Sequence, residues 1–182
     1  MPDPVAPDAA AWLARGQALE AQQTPAALAE AVRSYDVAIA LFRSSLPDPV
    51  PAAPHALAVA WMNRGNALQQ LGTPSALAAA VTAYDETIAL LLPAPAEELA
   101  ARNTLGAAWM NRGLAAHRQA TPASILDAVR SHAESIAVLN SLPLDENPIF
   151  RRNLAAALLN QANALLDTGK PELLESARAA AH

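Results

Sequence analysis

Cysteine is absent from the 182-residue chain. That excludes a disulfide framework, thiol chemistry and any cysteine-based zinc site. Aromatic residues make up only 4% and charged residues 16%. Lysine occurs once, as Lys170, so nearly all positive charge is arginine. With 12 basic against 17 acidic residues the net charge is −5. That balance argues against a nucleic-acid partner, which needs a basic patch or stripe, and leaves open only a local cluster of arginines. No run approaches 18 purely apolar residues, so no membrane span is expected. Met1-Pro2-Asp3-Pro4 has neither the basic region nor the apolar core of a secretion signal, and the expected location is cytoplasmic. Glycine-rich phosphate loops, nucleophile elbows and dinucleotide fingerprints are missing. An enzyme is therefore not expected, nor is a cofactor.

What the chain has in excess is alanine and leucine. Its 53% apolar content is too high for a disordered chain. No stretch alternates with period two for long, and alanine favours helix. One motif recurs: Trp61-Met62-Asn63-Arg64-Gly65-Asn66 returns as Trp109-Met110-Asn111-Arg112-Gly113-Leu114. A weaker copy opens at Trp12, and a fourth, Leu158-Leu159-Asn160-Gln161-Ala162-Asn163, has lost Trp and Gly. The spacings are 49, 48 and 49 residues. A fixed period of this length signals a solenoid of small supersecondary units.

Twelve and thirteen residues after each opening Trp or Leu comes a junction: Thr24-Pro25, Thr73-Pro74, Thr121-Pro122 and Lys170-Pro171. Threonine can cap a helix, and proline suits its first position, where a missing N–H costs nothing. The loop is short enough to make each unit a helix hairpin. Second helices carry apolar residues at three- and four-residue steps, as in Leu28, Ala31, Val32, Tyr35, Ile39 and Phe42. The expectation is an all-α fold of about eight helices in one domain after a flexible segment 1–7. Its units span about 8–46, 54–92, 96–141 and 148–182. First helices are placed at 54–71, 96–119 and 148–168, and second helices at 25–43, 74–91 and 122–140. The sequence given stops halfway through a further second helix from Pro171.

These helix pairs resemble the tetratricopeptide repeat. The resemblance rests on Trp61, Gly65 and Leu68 with Ala80, Tyr84 and Thr87-Ile88. It extends to Trp12, Gly16, Leu19, Ala31 and Tyr35, and to Trp109, Gly113, Ala128 and Ser135-Ile136, with His132 in the aromatic position. It covers residues 8–181, although the family unit is shorter. It implies antiparallel hairpins stacked as a solenoid that binds a peptide or protein along the face of its first helices. Asn63, Asn111 and Asn66 look like the asparagines of the family's carboxylate-clamp subclass, whose lysine has no match here.

Asn63, Asn111 and Asn160 share one register, with Asn66 and Asn163 one turn on. Asparagine offers both a donor and an acceptor to a bound peptide backbone. The expected peptide-binding set is Asn63, Asn66, Asn111, Leu114, His117, Asn160 and Asn163. The competing reading gives the asparagines to bonds between helices. Arg15, Arg64 and Arg112 form a second row, each with an acid 21 or 22 residues on. The pairs Arg15–Asp36, Arg64–Asp85 (or Glu86) and Arg112–Glu134 are therefore expected to be structural. The tryptophans are expected in the seam between helices, and Gly16, Gly65 and Gly113 at close helix crossings. His117 and His132 lie on the two helices of one hairpin, but without a third ligand no metal site is expected. The alternative function is self-association, as a homodimer through the leucine-rich C-terminal unit.

Overall fold

The computed structural model describes residues 8–44 and 55–169. Segment 1–7, expected to be flexible, and the helix expected from Pro171 lie outside the described residues. Seven helices follow one another, with no strand among the described residues: α1 (Ala9–Glu20), α2 (Pro25–Ser44), α3 (His55–Leu71), α4 (Pro74–Leu91), α5 (Leu99–His117), α6 (Pro122–Asn140) and α7 (Pro148–Asp167). The chain divides into two compact units, Met1–Leu90 with α1 to α4, and Leu91–His182 with α5 to α7. Packing is mainly between successive helices within each unit.

The helix starts follow the capping chemistry read from the sequence. Asp8 accepts the Ala11 N–H at 2.8 Å. Thr24 and Thr73 each accept an N–H three residues on, both at 3.2 Å. Thr121 and Ser124 form a reciprocal capping box ahead of α6. Such caps stabilise a helix by about 1 kcal/mol each. The hairpin turns share a feature that was only half legible. Gly72 and Gly169 take φ of 68° and 64°, and the equivalent Gln23 and Ala120 take 53° and 55°. All four copies thus place a left-handed residue just before the junction, the usual end of a helix.

Glycine decides how closely the helices cross. A Cβ on Gly16 would lie 2.3 Å from the Tyr35 ring, and one on Gly65 would lie 2.6 Å from the Tyr84 ring. Both rings are fully buried. In the second unit Gly113 makes the same room for His132, and Gly106 for Leu139. The Ser135 hydroxyl donates to the Gly106 carbonyl at 2.7 Å, tying α6 to α5 at that crossing. In the first unit Leu28, Ala31 and Tyr35 pack with Ala67, and Ile39 packs with Leu57 and Ala60. In the second, Leu139 and Leu142 pack with Phe150 and Ala157. Burial of one such large side chain stabilises by about 2–3 kcal/mol.

Candidate functional site on the first helices

The first helices of neighbouring repeats meet directly within each unit. Three side-chain hydrogen bonds join residues 50 positions apart. Gln70 of α3 donates to Glu20 of α1 at 2.6 Å. Asn153 of α7 donates to Asn103 of α5 at 2.9 Å. His117 of α5 and Asp167 of α7 bond at 2.8 Å. The separation is one repeat plus one residue, so polar groups at nearly equivalent positions face each other across adjacent first helices. Residues such as Glu20, Gln70, Asn103, Asn153 and Asp167 were not singled out from the sequence. Their signal was present as polar pairs at a constant separation close to the repeat length.

Against this row the expected peptide-binding residues fall into two groups. Asn66, Asn111 and His117 are engaged by the fold. The Tyr84 hydroxyl donates to Asn66 Oδ1 at 2.9 Å and to Gln69 Oε1 at 3.1 Å, and His117 takes Asp167. Asn63, Asn111, Leu114 and Asn160 are half-buried, and Asn163 is exposed. Asn63 lies in the first unit, and the other four lie in the second. Beside the His117–Asp167 bond is a pocket of about 170 Å³ lined by Pro122, Ile125, Leu126, Asp167 and Thr168.

The arginine row meets different acids from those expected. Arg64 Nε donates to Asp36 at 2.6 Å, so the acid assigned to Arg15 serves the next repeat, where Asp85 was expected. Arg112 donates to Asp127 at 2.9 Å and to the Ser131 hydroxyl at 2.6 Å, in place of the expected Glu134. Sequence separation alone cannot choose between acids on one helical stripe. Asp127 and Ser131 are one turn apart and converge on a single guanidinium. Asp36 lies on the α2 side that meets α3, not on the side that meets α1. With its acid side chain 49% exposed, the Arg64–Asp36 pair contributes about 0.5 kcal/mol.

The tryptophans do more than fill a seam. All three are half-buried, and each carries the guanidinium from three residues later. Arg15 lies 4.9 Å from the Trp12 ring centroid, Arg64 5.5 Å from Trp61, and Arg112 5.8 Å from Trp109. Trp61 receives a second guanidinium, that of Arg43, at 5.1 Å. Each stack contributes about 0.5–1 kcal/mol at a partly exposed site. The motif Trp-x-x-Arg-Gly thus builds a cation–π pair directly beside a close helix crossing.

Electrostatically the buried ring positions differ. The Tyr35 hydroxyl donates to Glu20 at 2.8 Å. Burial first, and then that carboxylate, push its pKa well above the usual value. Neither ring nitrogen of His132 has a hydrogen-bond partner. Burial, with a smaller contribution from nearby His117, lowers its pKa to about 4, so the imidazole is neutral at physiological pH.

No family model matches the chain, and no curated protein or solved structure matches it. The reading therefore rests on the internal repeat and the geometry above. Among the described residues no helix is long and apolar enough to cross a membrane, and no three metal-ligating side chains converge.

Proposed function

We propose that this chain is a non-enzymatic helical-repeat scaffold of the tetratricopeptide kind, which binds a peptide or protein segment along its first helices. The observation that carries the reading is the 50-residue register of side-chain bonds. It supports first helices lying side by side, as a shared recognition face requires. Contact order supports antiparallel hairpins: along α5, Gly106 meets Leu139 while Gly113, further on, meets His132. Half-buried Asn63 in the first unit and Asn160 in the second are each suited to hold an extended backbone, because an amide both donates and accepts, whereas Asn111 already takes part in a contact of the fold. Asn66 and His117 are assigned a supporting role, since Tyr84 and Asp167 already engage them.

The test is capture from lysate with two baits, the wild-type chain and N63A/N111A/N160A, matched for helicity and stability. A partner retained by the first and lost by the second is the expected result. A partner retained equally by both would remove the asparagine face from the account.

A second reading, self-association through α7, draws on Leu158, Leu159 and Leu166, which are 42%, 62% and 62% exposed. Light scattering at tens of micromolar separates the two. A monomer that still captures a partner excludes self-association as the main role.

A further inference from the structure

Within the first unit, α2 shows how a helix docks on the Trp-x-x-Arg edge of a first helix. Asp36 bonds Arg64 at 2.6 Å. Seven residues on, the Arg43 guanidinium lies over the Trp61 ring at 5.1 Å. Ala60 and Ala67 are fully buried beneath the incoming helix, packed with Ile39 and with Tyr35. An acid, a cation seven residues later and small residues underneath make up the contact with α3, and Glu86 of α4 bonds the same Arg43 at 2.9 Å.

The same edge exists on α1, 49 residues earlier, and among the described residues no helix covers it. The Arg15 guanidinium is already placed 4.9 Å over Trp12, and Arg15 is exposed. Among the described residues no carboxylate bonds it: Asp36, its expected partner, is on Arg64, and Glu30, close enough to feel the Arg15 charge, bonds Arg33. Ala11 and Ala18, the counterparts of buried Ala60 and Ala67, are also exposed.

We propose that this α1 edge, centred on Trp12 and Arg15, docks an amphipathic helix of another protein that carries an acidic residue for Arg15 and a basic residue seven positions later for Trp12. Charge complementarity selects the acid: Arg15 feels the Glu30 carboxylate but bonds no carboxylate among the described residues, so its pre-stacked guanidinium is matched by one. A second copy is disfavoured as the occupant. Among the described helices only α2 holds an acid and a base seven apart, in Asp36 and Arg43, and α3 already occupies them. This surface is on α1, which carries none of the asparagines, and docking there does not depend on them.

The probe is a fluorescein-labelled synthetic peptide with the sequence of residues 25–44, titrated into the full chain by fluorescence anisotropy. Saturable binding is expected. Arg15→Glu, checked for unchanged helicity and unfolding midpoint, should weaken it about tenfold. A peptide carrying Asp36→Arg should bind the Arg15→Glu chain within about threefold of the original pair, restoring the opposite charges. The swap separates docking at this edge from displacement of the resident α2, where Asp36→Arg would instead oppose Arg64 and give no rescue. Absent saturable binding, or binding insensitive to Arg15→Glu, overturns the proposal. So does a wild-type dimer in sedimentation velocity that Arg15→Glu dissolves, since the occupant would then be a second copy.

Discussion

The hairpins of the first unit and the α5–α6 hairpin of the second solve one packing problem with different chemistry. In each, a glycine on the first helix admits a buried ring from the second. Tyr35 and Tyr84 lie over Gly16 and Gly65, and His132 lies over Gly113. The tyrosines carry their polar atom past the glycine to acceptors four residues on: Glu20 after Gly16, and Gln69, with Asn66, after Gly65. Histidine is too short for that reach, and the equivalent fourth residue, His117, is turned to Asp167. The phenol thus combines burial with hydrogen bonding, whereas the imidazole is buried with both nitrogens unpaired. The comparison teaches that a repeat can keep its backbone geometry while one copy acquires a pH-dependent weakness.

The largest expected effect comes from pH. The pKa of His132 is about 4 in the fold against the ordinary 6.5. The unfolded chain therefore binds the proton more readily, and acid favours unfolding. Its contribution is constant above about pH 7 and is lost as pH falls from about 6.5 to about 4, a total of about 3 kcal/mol. Hydrogen exchange across this range should show α5 and α6 opening while α1 and α2 stay protected. His132→Tyr should remove most of the slope, and an unchanged slope in that variant would refute the assignment.

Next come the glycines. Alanine normally favours a helix by about 1 kcal/mol over glycine. Here its Cβ meets a buried ring, so Gly16→Ala and Gly65→Ala should destabilise by about 2 kcal/mol, read from urea unfolding. Gly113→Ala should cost less, because His132 has no hydroxyl bond holding it in place. Tyr84→Phe follows at about 1 kcal/mol, since it removes the hydroxyl that Asn66 and Gln69 share. The smallest effect, about 0.5 kcal/mol, is expected for Gln70→Ala, whose bond to Glu20 is at the surface.

Much of the fold was legible because its determinants are local. Thr-Pro junctions, capping residues and the apolar steps of the second helices give six of the seven helix starts to within about two residues; α5 begins three residues later than placed, at Leu99. Gly16, Gly65 and Gly113 were read as crossings from their phase alone, and the rings over them bear that out. What was not legible depends on how one repeat is rotated against the next. The recurring spacing of 21 or 22 residues favours Arg15 as the partner of Asp36, and only the packing of α2 on α3 gives it to Arg64. The cation–π pairs were missed because Trp and Arg were weighed as separate rows, although they stand three residues apart on one helix. The polar row at 50 residues does not show in the repeat register, because the bonded pairs are offset from it by one residue.

The central claim is that first helices lie side by side within each unit in this 50-residue register, because the proposed recognition face depends on it. With no native cysteine in the chain, one pair of engineered thiols reports it directly. Asn103→Cys with Asn153→Cys should be joined rapidly by a short bismaleimide. Asn103→Cys with Asn163→Cys, about 15 Å further along α7, should react far more slowly. Equal rates for the two pairs, or faster linkage of the second, would contradict the register and with it the shared face.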